Sequence, residues 1–241
     1  MLSLLLEAGA DKDVADPDGH TALALAAQKC KMRFLQQLLE AGADKDLQNN
    51  QGETTLMLAA FRGEKKIVAL LLEHRAALNL QNRSGRTALI RAAEKGQLEI
   101  VRALLEANAD TDISFSGGTA LICASFKGLG KVVQCLLAVG ADKNLKNSRG
   151  QTALICASGH GREGTARLLL EFAADLNCRD ARGSTALLCA AHFHLEIVRL
   201  LLEASADKNI QDNKGRTAIM CARGNGQEAI ADLLRMSEGN H

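Results

Sequence analysis

Cys189, His192 and His194 come nearest, by type and spacing, to a metal site in this chain. Thiolate and imidazole are zinc ligands, but zinc takes three or four that converge. Cys189 belongs instead to a series. Cys123, Cys156, Cys189 and Cys221 each lie four residues after a threonine, one turn into a predicted helix, beside alanines. Four small apolar side chains at one position read as a buried stack, with His192 and His194 as surface imidazoles nearby. A Cys–His nucleophile pair fails for the same reason, because a buried thiol with no paired base stays neutral. The chain has no Gly-rich phosphate loop between a strand and a helix, and no Cys-x-x-Cys pair. Catalytic residues, metal and cofactor are therefore all expected to be none, and the protein is read as not an enzyme. Adjacent helices pack about 8–10 Å apart, whereas a disulfide needs Cα atoms within about 7 Å. The seven cysteines are accordingly expected to be reduced, which suits a cytoplasmic or nuclear protein.

The threonines that set the cysteine positions recur along the whole chain. They are Thr21, Thr54, Thr87, Thr119, Thr152, Thr185 and Thr217. Each stands in a Gly-x-Thr phrase, as in Gly150-Gln151-Thr152-Ala153-Leu154. A second apolar run follows, such as Ile100 to Leu105, then usually a small-residue stop such as Ala41-Gly42-Ala43-Asp44. The interval is nearly constant, and a fixed period of this size is the signature of a repeat array.

The pattern resembles the ankyrin repeat. Residues 84 to 110 match that family's motif through Gly85, Thr87, Leu89, Ala92, Ala93, Gly96, Leu98-Glu99-Ile100-Val101, Leu104-Leu105 and Ala109-Asp110. The resemblance covers nearly the whole chain. It implies an all-α repeat solenoid of stacked helix–turn–helix repeats with β-hairpin-like finger loops. It also implies a concave groove, lined by the fingers and by the exposed ends of the first helices. The array is read as a single domain over 1–241. A partial repeat at 1–17 precedes repeats at about 18–50, 51–83, 84–115, 116–148, 149–181, 182–213 and 214–241. Leu2 to Glu7 read as a second helix whose first helix is missing, so the chain is expected to be a fragment or to begin mid-array. Ala229, Ile230, Leu233 and Leu234 are expected to pack on the preceding repeat, and Asp232, Arg235 and Ser237 to His241 to form a polar cap.

Within each repeat, threonine is expected to cap the first helix. Gly63, Gly96, Gly128, Gly161 and Gly226 are expected to turn the chain between helices. Gly9, Gly42, Asn108 and Gly140 are expected in the left-handed stop position. Arg75, Ala173 and Ser205 replace that stop glycine, and Cys30 replaces the first turn glycine. No repeat keeps the family's histidine after Leu, so its inter-repeat hydrogen bonds should be missing. The fourth finger, Ile113 to Gly118, is one residue short and has lost its Asp or Asn. The sixth repeat lacks its turn glycine at Ala191 to Leu195. Local distortion is expected at both, with the sixth repeat the weak link.

Apolar residues make up 47% of the chain, yet Trp and Tyr are absent, so the core must be built from Leu, Ile, Val, Ala and Cys. No run approaches the ~20 apolar residues that cross a bilayer, and no secretory signal is evident. Formal net charge is +1, but its distribution is uneven. The groove positions implied by the resemblance hold Arg83, Arg86, Lys146, Arg149, Arg179, Arg182, Lys214 and Arg216 on fingers, and Lys29, Arg62, Lys95 and Lys127 at helix ends. Only Asp18, Glu53 and Glu94 oppose them. Such a field steers acidic partners. Phe61, Phe126 and Phe193 fall on the same face, with Phe115 in the short finger, and are expected to act as anchors beside arginine. The function expected is a protein–protein interaction scaffold or adaptor, monomeric, binding an acidic protein partner in the groove. The alternatives are nucleic acid or anionic lipid on the basic stripe, or service as the recognition array of a larger enzyme or channel. Nucleic acid is disfavoured by the lack of stacking Trp and Tyr.

Overall fold

Threonine opens each first helix for a local reason. Its backbone is extended, and its Oγ1 accepts a hydrogen bond from the amide three residues on, at 3.3–3.4 Å, at Thr21, Thr54, Thr87, Thr119, Thr152 and Thr185. That satisfies one of the amide donors a helix start leaves unpaired. Thr217 keeps the extended backbone, but its Oγ1 is buried without a partner, so the expected cap is absent there.

The structure is a computed structural model and describes residues 8–236. Among them are fourteen helices. The first helices of the repeats are α1 (Ala22–Gln28), α3 (Thr55–Arg62), α5 (Ala88–Lys95), α7 (Ala120–Lys127), α9 (Ala153–Gly159), α11 (Ala186–Ala190) and α13 (Ala218–Gly224). The second helices are α2 (Met32–Glu40), α4 (Lys65–Glu73), α6 (Leu98–Glu106), α8 (Gly130–Ala138), α10 (Glu163–Glu171), α12 (Leu195–Glu203) and α14 (Glu228–Met236). The architecture is an all-α repeat solenoid. The expected helix at Leu2 to Glu7 and cap at Ser237 to His241 lie outside the described residues.

The chain divides into two units, Met1–Phe115 and Ser116–His241, the boundary falling inside the shortened fourth finger. In the first unit Leu23, Leu56, Met57 and Leu89 from first helices meet Leu35, Ile67, Leu71, Ile100 and Leu104 from second helices, all sealed from solvent. The second unit repeats the plan with Leu121, Leu154 and Leu187 against Val133, Leu136, Leu169 and Leu201. Each such side chain contributes about 1.5–3 kcal/mol by burial, and alanine at any one would cost about 2–5 kcal/mol. Alanines such as Ala60, Ala93, Ala124 and Ala157 are fully buried. They let stacked helices approach closely. At the C-terminal end α14 buries Ile230, Ala231 and Leu234, while Ala229 is exposed. Ala231 rather than Ala229 faces the core, because it lies one helical turn before the buried Leu234 and shares its face.

The fingers are closed by side chains, not by strands. Five residues before its threonine, each regular finger has Asp or Asn: Asp16, Asn49 and Asn82 in the first unit, Asn147, Asp180 and Asp212 in the second. Their Oδ1 atoms accept hydrogen bonds from the amides two and four residues on. This Asx turn competes with strand pairing, and among the described residues β structure is limited to an isolated bridge from Ala15 to Thr21 and single bridge residues at Phe115 and Gly118. Glycine two residues before threonine takes positive φ, for example 73° at Gly150 and 77° at Gly183. Consecutive fingers are stitched through one backbone bond each. Asn50 and Arg83 donate to Asp18 and Gln51 in the first unit; Ser148, Ala181 and Asn213 donate to Ser116, Arg149 and Arg182 in the second.

Both expected distortions are present. In the fourth finger the left-handed glycine is Gly118 (φ 105°), one residue later than elsewhere, because the missing residue pulls the turn against the threonine. In the sixth repeat α11 has five residues. No left-handed residue separates it from α12, and the amides of Phe193 and His194 both donate to Ala190 O. The helix stops keep left-handed geometry even where glycine is gone: φ is 59° at Arg75, 66° at Asn108, 55° at Ala173 and 67° at Ser205, with 52° at the turn residue Cys30.

Candidate partner-binding face

Register decides what each basic finger residue does. Six residues before threonine, the side chain reaches the next repeat. Gln48 Nε2 donates to Gln81 O at 2.9 Å and Gln81 Nε2 to Ser114 O at 3.3 Å. Lys146 Nζ donates to Arg179 O at 3.0 Å, and Arg179 to Gln211 O at 2.9 Å and Gly183 O at 3.1 Å. Glutamine and cation perform one task in this column, so Lys146 and Arg179 act as long donors that hold finger to finger.

One residue before threonine, the cations are paired. Arg216 meets Asp212 at 2.7 Å and 2.8 Å. Arg86 meets Glu94 at 2.9 Å, and its guanidinium lies 4.2 Å from the centre of the Phe115 ring. Backbone amides and this guanidinium of Arg216 hold Asp212 at about 2, the Arg216 amide contributing most.

Three residues before threonine, only the backbone carbonyl is used in the stitching of fingers. In the second unit this column places Arg149, Arg182 and Lys214 on successive fingers, all exposed, and no acidic side chain among the described residues pairs with them. Arg83, four residues before its threonine in the first unit, is likewise exposed, and no acidic side chain among the described residues pairs with it.

The helix-end residues divide similarly. Arg62 Nη1 donates to Gln28 O at 2.9 Å. Lys95 Nζ sits 4.4 Å from the centre of the Phe61 ring, whose other approach is taken by the Arg91 guanidinium at 3.9 Å. Arg91 also pairs with the buried Glu53 at 2.7 Å, which receives Asn82 Nδ2 at 3.2 Å. Phe61 is therefore not the free anchor expected: cations cover it. Lys29 and Lys127 are exposed. Phe126 and Phe193 do reach solvent, at 44% and 63% exposure, with Phe126 4.2 Å from the His160 ring.

Sequence reasoning missed Arg91. Its register position, four residues after threonine, is apolar in every other repeat: Leu25, Leu58, then the four cysteines. A cation in an apolar column was the available signal, and its partner Glu53 lies in the preceding repeat. His160 was missed as well; it occupies the helix-end position that several other repeats give to lysine or arginine.

The Cys–His cluster does not assemble a ligand set. His192 Nδ1 lies 2.9 Å from Leu188 O, donating back to the end of α11. The one His/Asp group within ligand reach among the described residues is Asp16, Asp18 and His20. Asp16 there makes the same Asx turn as the other fingers, and His20 Nε2 lies 3.1 Å from Asn49 Nδ2. None of the seven cysteines forms a disulfide. Of the four in one column, Cys156 and Cys221 are buried and Cys123 and Cys189 half-buried, so the stack is less sealed than expected. Burial pushes the Cys156 thiol up to about 11 and the Cys189 thiol up to about 12. Both are neutral near pH 7 and poor nucleophiles.

Stacked helix pairs and fingers stitched by backbone hydrogen bonds make each unit a helical repeat array. The profile described as "Ankyrin repeats (3 copies)" matches residues 1–81, 25–115, 74–147, 106–180 and 173–241, and the chain belongs to the ankyrin repeat family. Arrays of this family generally mediate protein–protein interaction and are typically non-catalytic. A comparison with curated proteins finds no match to this chain. No helix among the described residues is long and apolar enough to cross a membrane.

Proposed function

We propose that the chain is a non-catalytic binding module, a scaffold or adaptor, that takes an acidic protein partner on its finger face. The observation that carries this reading is the column Arg149, Arg182 and Lys214: exposed cations on three successive fingers, with no acid among the described residues paired with them. Arg83 offers the same chemistry in the first unit. Guanidinium forks match carboxylates in two-pronged geometry. The exposed rings of Phe126 and Phe193 supply apolar contact on the helix-end side of the second unit. Binding is by shape and charge without turnover, by a monomer. The reduced thiols suit the cytoplasm or nucleus.

The test is calorimetric titration of the full chain with a polyglutamate peptide at two salt concentrations. Binding should weaken with salt. It should fall by about tenfold or more in the Arg149→Glu, Arg182→Glu, Lys214→Glu variant, since each cation becomes a repulsion. Equal binding by wild type and variant, or none by wild type, refutes the proposal.

A further inference from the structure

The spacing of the cation column describes the partner. In the second unit α9 stacks on α11 and α11 on α13. Equivalent atoms of stacked repeats are displaced by one helix-to-helix distance, about 8–10 Å. The fingers keep this step, because Ala181 N donates to Arg149 O at 2.9 Å and Asn213 N to Arg182 O at 2.9 Å. Arg149, Arg182 and Lys214, which share one register position, therefore recur from finger to finger at about that step.

A partner segment must offer acids at that step, all on one side. In a polyproline II helix the rise is about 3.1 Å with three residues per turn, so every third side chain recurs on one face about 9 Å further on. In a β-strand, side chains three apart point to opposite faces, and those two apart recur only about 7 Å on. In an α-helix one face recurs after about 5.4 Å, at one turn, and after about 10.5 Å, at seven residues, to either side of the step. We infer that the second unit binds an extended acidic segment in polyproline II conformation, with Asp or Glu at every third residue, one carboxylate to each of Arg149, Arg182 and Lys214. From the first acid to the third, such a segment runs about 19 Å. The neighbouring cations serve otherwise: Lys146 and Arg179 hold carbonyls of the next finger, and Arg216 holds Asp212. This inference rests on the acidic-partner reading above and sharpens it.

The experiment is fluorescence anisotropy with the full chain and three labelled peptide probes of equal length. One is Glu-Pro-Ala repeated four times. A second has the same composition with the glutamates in adjacent pairs. A third has Gln for every Glu. The inference expects the first probe to bind about tenfold more tightly than the second, three matched pairs each contributing modestly. The third should not bind. The preference should vanish in the Arg149→Gln, Arg182→Gln, Lys214→Gln variant and persist in Lys146→Gln, Arg179→Gln, since glutamine already fills that column in other repeats. Unchanged thermal melts show that both variants fold. Equal affinity for the two glutamate probes overturns the spacing and leaves the acidic-partner reading standing. A preference that survives in the first variant overturns the assignment to this column. Binding of neither glutamate probe overturns both readings. So does tighter binding of a single-stranded oligothymidylate, which would place a nucleic acid strand on the column.

Discussion

Replacing Ala173 by glycine should stabilise the protein. Ala173 ends α10 with φ 55°, a region where a Cβ crowds the following carbonyl at a cost of about 1–2 kcal/mol. Glycine removes that strain but brings extra freedom to the unfolded chain, which takes back about 0.5–1 kcal/mol. Whether contacts shift this balance can be judged from the repeats that have glycine at the same position. A Cβ built at Gly42 or Gly140 meets nothing within 4 Å. The penalty there is backbone strain alone. Alanine has no side-chain atom beyond Cβ, so its replacement removes no side-chain hydrogen bond. The net gain is about 0.5–1 kcal/mol, or roughly 1–4 °C in the melting midpoint for a chain of this length. The stop's own bonds, Ala173 N to Leu170 O and Ala174 N to Leu169 O, both 2.9 Å, are unaffected by the change. The reciprocal substitution, Gly42→Ala, should cost the same amount. Urea and thermal melts of the two variants form the assay. A lower midpoint for Ala173→Gly, or no loss for Gly42→Ala, would refute the reasoning, because either result means the left-handed stop is not under strain.

Two further predictions concern charge. Glu53→Gln should cost about 2–3 kcal/mol, since it leaves the half-buried Arg91 guanidinium with only the longer contact to Glu94, at 4.0 Å. Adding Arg91→Leu, the residue found at this register in Leu25 and Leu58, should recover most of that loss; a double variant as unstable as the sum of the singles in urea melts would refute it. Asp212 is held at about 2, below the ordinary carboxylate range, first by the Arg216 amide. Its contribution to stability is complete above about pH 4 and is lost as pH falls through about 2, so a carboxyl titration by NMR that finds Asp212 protonating near pH 4 would contradict the structure.

The fold was legible because it is written seven times. Threonine caps, turn glycines and leucine pairs act through local geometry and burial, and each copy checks the others. The departures were legible for the same reason: a missing residue in a fixed period has to surface as the short α11 and the displaced Gly118. Thr217 was not legible. Its backbone is that of a cap, and only the placement of its Oγ1 relative to the amide of α13 decides whether a bond forms.

The candidate site was harder to read because the group that occupies a basic side chain often belongs to a neighbouring repeat. Glu53 and Arg91 sit in different repeats, as do Gln28 and Arg62, and Lys146 and Arg179. A count of cations along the chain treats Arg179 and Arg182 alike, although they stand in different columns of one finger. The column view separates them. In the six-before column Gln48, Gln81, Lys146 and Arg179 all reach the next finger, so length and a donor matter there and charge is incidental. The three-before column holds Asp18, Gln51, Ser84, Ser116, Arg149, Arg182 and Lys214, a mixture no shared structural task requires, since the stitching of fingers uses only the carbonyl. Where the scaffold asks nothing of a side chain, three successive exposed cations are the groups that the proposed acidic partner would meet.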